Sequence, residues 1–197
     1  MSQASSKSGL RIVALITLGL TGCAAPARLY VNPQADLSLY RKVAVLPFSN
    51  LSSQPFAGDR VTRALTTELI MADRFQVVES GEFASTLSQL GGGLDAQGQS
   101  DAGKLKATCE KLGATGYVRG AVTEYQTERS GQDEIPALSF DAELVDVATG
   151  NVVWRVSISR RGHGLLPGLT GGSTRSFGAL TQRACADAVA RLRGKAL

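Results

Sequence analysis

The chain has 197 residues with 21 Lys and Arg against 17 Asp and Glu, a formal net charge of +4. Lys7 and Arg11 lie in an amino-terminal segment without acidic residues, and the remaining 19 basic residues nearly balance the 17 acidic ones. This near-neutral balance does not support a nucleic-acid-binding function. His163 is the single histidine. The sequence therefore offers few of the side chains that usually form a metal site or a pair of nucleophile and general base. We therefore expect no catalytic residues, no metal and no dissociable cofactor.

Residues 1–22 have the composition of an export signal. Lys7 and Arg11 precede the almost wholly apolar run Ile12–Leu20. This run is too short to cross a bilayer, which needs about 20 apolar residues. A basic start, an apolar core and small residues at its end are typical of a secretory signal peptide rather than a transmembrane anchor.

The apolar run ends in Leu20, Thr21, Gly22 and Cys23, and this tetrad resembles the lipobox of bacterial lipoproteins. The resemblance implies cleavage before Cys23 and covalent lipid on Cys23, which would anchor the mature chain to a membrane. Ala24 follows the cysteine, and by the same resemblance it favours the outer membrane with the domain facing the periplasm. The alternative is an ordinary secretory peptide that is cut nearby, with Cys23 unmodified.

The mature chain from Cys23 to Leu197 is long enough for one domain with a proper core. Residues 23–40 contain two prolines and no sustained periodicity, and we expect them to form a short tether. Stretched out, 17 residues reach about 60 Å at most. Residues 41–197 are expected to form the folded domain.

Hydrophobic periodicity predicts alternating strands and helices in the first half of this domain, and then three consecutive strands and a final helix. The strands are predicted at residues 42–50, 74–80, 116–127, 137–147 and 152–160, and the helices at residues 61–73, 81–90, 100–113 and 174–194. A charged turn is expected between the third and fourth strands. This order predicts a single α/β domain, a three-layer-like sandwich in which helices cover a mixed sheet of about five strands.

Three segments follow each other in a characteristic order: KVAVLPFSN, RFQVVESGEF, and LGATGYVRGAVTEY leading into FDAELVDVATGNVVW. The series resembles the CsgG family of outer-membrane lipoproteins and its relatives, the LpoB-type activators of penicillin-binding proteins and the amino-terminal domain of TolB. The resemblance implies a non-enzymatic envelope lipoprotein that acts through a protein partner, either a penicillin-binding protein or a secretion component. It also makes a homo-oligomer possible.

The pore-forming hairpins of the CsgG family are not expected in this chain. Their positions are taken by residues 126–137, which are charged, and by residues 161–173, which are rich in glycine and interrupted by Pro167. A membrane-spanning strand needs about 9 to 11 residues with apolar outward positions, and a hairpin needs two of them.

Two cysteines remain besides Cys23. Cys109 and Cys185 could form a disulfide in an oxidising compartment. Both fall in predicted helices, so two separate buried thiols are the alternative.

Two aromatic residues are candidate partner contacts. Phe56 follows the first strand of the domain, where α/β sheets tend to bind ligands. Trp154 lies in the last predicted strand, where it either anchors a partner or fills the core beneath a helix.

Two other features have a functional and a structural interpretation. Asp141 and Glu143 share one face of a strand, where paired carboxylates can do acid and base chemistry or simply form a solvated face. The segment Gly168–Arg175 resembles a phosphate-binding loop without its lysine, and it also fits a plain connection from strand to helix.

The function that these features favour is that of a protein-binding accessory in envelope assembly, secretion or peptidoglycan synthesis. Two more specific alternatives are an activator of a penicillin-binding protein and a ring-forming periplasmic collar of an export system. An enzyme and a small-ligand-binding module remain as alternatives from other classes.

Overall fold

The computed structural model describes residues 27–95, 100–130, 133–162 and 176–194. The strands are β1 (Arg28–Val31), β2 (Lys42–Val45), β3 (Ser49–Asn50), β4 (Gln76–Val78), β5 (Gly116–Ser130), β6 (Asp133–Asp146) and β7 (Val152–Arg161). The helices are α1 (Ala57–Met71), α2 (Ser80–Gln89), α3 (Ala102–Leu112) and α4 (Phe177–Arg193), with a short 3-10 helix at Leu37–Leu39. The single α/β domain predicted from the sequence is confirmed.

One open mixed sheet runs in the order β1-β7-β6-β5-β2-β4, and β3 adds to β5. β2 is parallel to β4 and to β5, because helices connect these strands. The strands β5, β6, β7 and β1 are antiparallel neighbours. β5, β6 and β7 follow each other closely along the chain, and an antiparallel meander needs only short turns between them.

Alternation along β2 divides the core into two clusters. Val43 and Val45 point to one face of the sheet, where α1 and α4 pack. Ala44 and Leu46 point to the other face, where α2 and α3 pack. We call these the first face and the second face, and together with the helices they form the expected three layers.

The helices bury the stripes that their sequences predict. α1 buries Val61, Leu65 and Leu69, which are four residues apart along one side. α4 starts where the ring of Phe177 stacks on Tyr125 of β5, with the ring centroids 4.6 Å apart. α4 also contacts β7 through Arg160, whose guanidinium donates to Asp187. These contacts fix α1 and α4 side by side over the first face.

The sheet has seven strands rather than about five, and the two additional strands lie in segments that we expected to be irregular or continuous. β1 lies within the expected tether and pairs with β7. β3 is separated from β2 at Leu46–Phe48, where the expected strand 42–50 leaves β4 and continues beside β5. Residues 28–31 therefore belong to the folded domain and not to the tether that we expected at residues 23–40.

The β5–β6 hairpin is also longer than expected. β5 continues to Ser130 and β6 begins at Asp133, so most of the expected charged turn is strand. Within the described residues no helix is long and apolar enough to cross a membrane.

Candidate partner-binding surface

The connection between β2 and α1 is held rigidly against the sheet. The Phe48 amide donates to the hydroxyl of Thr62 at 2.9 Å, and that hydroxyl donates to the Gly58 carbonyl at 2.8 Å. A Cβ atom at Gly58 would stand 2.4 Å from the Phe48 carbonyl oxygen. Only glycine therefore lets the first turn of α1 approach the end of the strand so closely.

The same connection carries its own polar turn. The Asn50 side chain donates to the Gln54 carbonyl at 2.8 Å and accepts from the Ser52 amide and hydroxyl. Asn and Ser favour such local turns because their short side chains reach neighbouring backbone groups. We call residues 51–56, which lie between β3 and α1, the β2–α1 loop.

Phe56 is the exceptional residue of this loop. It precedes α1 with φ 61° and ψ 13°, in the left-handed region, which costs roughly 1–2 kcal/mol for a residue with a Cβ atom. Its side chain is 70% exposed, and that of Leu51 at the other end of the loop is also exposed. A rigid loop that keeps a large aromatic side chain in water and in a strained conformation indicates a contact surface.

An open depression of about 300 Å³ lies beside Phe56. Its lining includes Pro47, Asn50, Asp59, Leu94 and Asp95. The loop thus presents an aromatic side chain next to a mixed apolar and acidic hollow. This combination suits the side chain of a protein partner. Among the described residues we find no cluster of three potential metal ligands.

The second face has a polar part that the helices leave uncovered. This open patch is formed by Arg119, Ser139, Asp141, Glu143, Arg155, Ser157 and Ser159 on β5, β6 and β7. Glu143 lies between two arginines, with its carboxylate 2.5 Å from Nε of Arg119 and 3.7 Å from a terminal nitrogen of Arg155. The Ser157 hydroxyl donates to Asp141.

Asp141 and Glu143 therefore share a face, as their spacing predicted, but each has its own partners. Asp141 accepts from a serine hydroxyl and Glu143 binds two guanidiniums, all on neighbouring strands. The interpretation as a solvated face fits this geometry.

Trp154 does not lie on the surface. Its side chain is 2% exposed in the first-face cluster, and its indole Nε1 has no hydrogen-bond partner. A residue buried to this extent cannot contact a partner while the domain is folded. Trp154 therefore fills the core, and it is not a partner contact in the folded domain.

Cys109 and Cys185 are both free and buried. Cys109 belongs to the second-face cluster and Cys185 to the first-face cluster, so the sheet separates them. Burial raises the pKa of each thiol to about 12. The structure therefore contains two separate thiols, not the possible disulfide.

The profile of the family described as "peptidoglycan-synthase activator LpoB" matches residues 29–157, which is well over half of the chain. The chain belongs to this family. The match includes the β2–α1 loop and every residue of the open patch except Ser159, and it ends before α4. No curated protein sequence matches the chain. The wider resemblance to the CsgG family stays a prediction.

Solved structures show the same fold at low sequence identity. The PelC dodecamer from Paraburkholderia phytofirmans is 20% identical, with a TM-score of 0.58 over 84% of this chain and 97% of that chain. The lipoprotein GNA1162 from Neisseria meningitidis is also 20% identical, with a TM-score of 0.52 over 76% of this chain and 97% of that chain.

Several residues named from the sequence lie outside the described residues. These are Cys23 with Leu20, Thr21 and Gly22, as well as His163 and the segment Gly168–Arg175. The structure does describe features that sequence reasoning missed, above all the left-handed backbone of Phe56. No sequence signal marks that conformation, since Asn and Gly are the residues that normally adopt it.

Proposed function

We propose that this LpoB-family chain is a lipid-anchored, non-enzymatic activator that binds a penicillin-binding protein through the β2–α1 loop. Membership of a family of peptidoglycan-synthase activators supports the class of partner. The observation that carries the site is Phe56, which the loop holds rigid, strained and exposed. Aromatic side chains of this kind are the usual energetic centres of protein interfaces.

The lipobox resemblance supports an anchor on Cys23 in the outer membrane, with the domain in the periplasm. Because β1 begins at Arg28, only four residues separate Cys23 from the sheet, and Arg28 follows the anchor by five Cα-to-Cα steps. These span about 18 Å at most, less than a third of the reach expected from a tether ending at Tyr40. The domain would therefore act close to its membrane, and a synthase would have to extend toward it.

Confinement of this kind favours binding without additional contacts. A tethered domain has a high effective concentration for any partner at the same surface. A modest interface centred on one aromatic residue is then sufficient for a regulatory interaction.

The test uses the acylated protein in detergent with the purified peptidoglycan synthase of the same bacterium. We expect the wild-type protein to bind the synthase and to raise its rate of glycan polymerisation. Phe56→Asn should weaken binding about 30-fold, the effect of losing a hot spot worth about 2 kcal/mol. Asn tolerates left-handed backbone, so the variant's stability should be unchanged or up to about 1 kcal/mol higher.

Met71→Gln is the matched control, since Met71 is 68% exposed at the far end of α1. It should bind the synthase as the wild type does. The proposal fails if the wild-type protein has no effect on the synthase. The assignment of the site fails if Phe56→Asn binds as tightly as the wild type.

A second candidate function is self-association into a ring. It is supported by a groove between α1 and α4 whose lining is partly apolar, with Met71, Ala72, Val189 and Ala190, and partly charged, with Glu68 and Arg193. The structural neighbour PelC is a dodecamer. Light scattering on the wild type and Met71→Gln distinguishes the two functions: a ring that dissociates in the variant favours the second, and a monomer in both excludes it.

A further inference from the structure

The edge strand β1 carries exposed side chains of a kind found at membrane surfaces. Arg28 and Tyr30 are two residues apart, so both point to the second face, and Leu29 points to the first. Tyr30 is 50% exposed, and Leu29 and Arg28 are exposed as well. An amphipathic ring, a guanidinium and an aliphatic side chain together suit the boundary between lipid and water.

Arg155 enlarges this group. It lies directly opposite Tyr30 in the β1–β7 register, so the two side chains share a face. The carboxylates nearby are shared with other groups: Glu143 lies 3.7 Å from Arg155 but 2.5 Å from Arg119, and Asp141 accepts from Ser157. Two exposed guanidiniums therefore flank Tyr30: Arg28, and Arg155, whose pairing with Glu143 is the longer of the two that Glu143 makes. Both lie in water, where they can bind phosphate groups.

The position of β1 in the fold is fixed by the sheet. All four of its residues have partners in β7, from Arg28 opposite Ser157 to Val31 opposite Trp154. The chain continues this attachment just beyond the strand, where the Asn32 amide donates to the Val153 carbonyl at 2.9 Å. The edge thus moves with the whole domain and not as a loose arm.

The length of chain before β1 decides what this edge faces. Arg28 follows Cys23 by five residues, and a stretched chain of that length covers about 18 Å. Lipid on Cys23 places its cysteine at the headgroup layer. Arg28 can therefore never leave the neighbourhood of that layer.

We propose that the β1 edge, through Arg28, Tyr30 and Arg155, lies against the phospholipid headgroups and holds the sheet edge-on to the membrane. This rests on the lipidation that the proposed function includes. β4, at the opposite edge, is then about five strand spacings of 4.8 Å, or about 24 Å, farther from the bilayer. The helices on both sides of the sheet remain open to a partner that approaches along the membrane.

The test measures depth with a fluorophore on the acylated, full-length mature protein in phosphatidylethanolamine vesicles with a minor share of phosphatidylglycerol. Tyr30→Cys and Met71→Cys each offer one exposed thiol for an NBD label. Cys109 and Cys185 are fully buried and Cys23 carries lipid, so these three are not labelled in the native protein. Nitroxide groups on the lipid headgroups quench only nearby fluorophores.

We expect the label at position 30 to lose most of its emission and the label at position 71 to lose little. Arg155→Cys is the second labelled variant and should behave like Tyr30→Cys, even if the latter does not fold. The proposal is overturned if positions 30 and 155 stay bright while the protein floats with the vesicles, or if position 71 is quenched more strongly.

Flotation distinguishes failure of the proposed membrane orientation from failure of the proposed partner. The wild-type protein should float with the vesicles, and the Cys23→Ala control should stay in solution. A wild-type protein that does not float refutes the anchor, and with it this orientation. Loss of synthase stimulation in a protein that floats and is quenched at position 30 refutes only the proposed partner.

Discussion

The two faces of the sheet are covered in different ways. On the first face the apolar cluster under α1 and α4 takes side chains from every strand except the short β3, and even the edge strands β1 and β4 contribute Val31 and Val77. On the second face α2 and α3 pack around β2 and β4 and the nearest ends of β5, β6 and β7. The rest of the second face is the open patch.

This difference is consistent with partner binding at one surface, as we propose, and not at the other. The open patch satisfies its own polar groups, since its carboxylates bind the arginines and serines of neighbouring strands. Such a surface is stable in water without a partner. The β2–α1 loop does the opposite, because it leaves Phe56 exposed and strained.

Two neighbouring residues of β7 provide the strongest test of the difference between the two faces. Trp154 points into the first-face cluster, and Arg155 points to the open patch with its side chain 56% exposed. Trp154→Ala should lower the free energy of unfolding by about 3–5 kcal/mol. Arg155→Ala should lower it by less than about 1 kcal/mol. Urea unfolding of both variants checks this, and similar losses would refute the assignment of the faces.

Alkaline titration compares the two buried clusters. Unfolded thiols ionise near pH 9, whereas burial raises the pKa of Cys109 and of Cys185 to about 12. Between these pH values the unfolded state binds fewer protons than the folded state. The contribution of the protonated thiols to the free energy of unfolding is therefore fully present below about pH 9 and is lost as the pH rises toward 12. The slope is up to about 1.4 kcal/mol per pH unit for each thiol.

Cys109→Ala and Cys185→Ala should each reduce this alkaline slope, one from each face of the sheet. Unfolding by urea at a series of pH values measures it. A slope that is unchanged in the double variant would contradict the role of the thiols.

Two glycines test how closely a helix on each face approaches the rest of the domain: Gly58 in α1 and Gly81 in α2. Gly58→Ala forces a Cβ atom to within 2.4 Å of the Phe48 carbonyl oxygen and should cost about 1–3 kcal/mol. Gly81→Ala in α2 meets no atom within 4 Å and should stabilise the domain by about 0.5 kcal/mol. Thermal unfolding checks both, and a Gly58→Ala variant as stable as the wild type would show that α1 does not need its close approach.

The smallest effect is expected in the open patch. The Glu143 side chain is 14% exposed between two half-exposed arginines. Glu143→Gln should cost about 1 kcal/mol or less, and added salt should reduce the difference. A loss as large as that of Trp154→Ala would mean that the patch is part of the core.

The covered parts of the fold were readable from the sequence. β7 was predicted because apolar and polar residues alternate along it, and α4 because Leu180, Ala184 and Ala188 recur at helical spacing. β1 was missed because four residues near two prolines carry no periodicity, and their strand state depends on pairing with β7. That pairing is a tertiary contact, which local patterns do not contain.

The candidate site was readable only in part. The exposed position of Phe56 after the first strand followed from its sequence context, but its left-handed backbone did not. The carboxylates of the open patch were placed on one face correctly. Their partners Arg119 and Arg155 come from neighbouring strands, and only the register of the sheet identifies them.

The most direct test of the central claim is photo-crosslinking in living cells, with benzoylphenylalanine at position 56 or at position 71. A fluorescent penicillin identifies penicillin-binding proteins among the crosslinked products. The account predicts a penicillin-labelled product from position 56 and none from position 71. A protein that yields no such product from position 56, or yields it equally from position 71, contradicts the account.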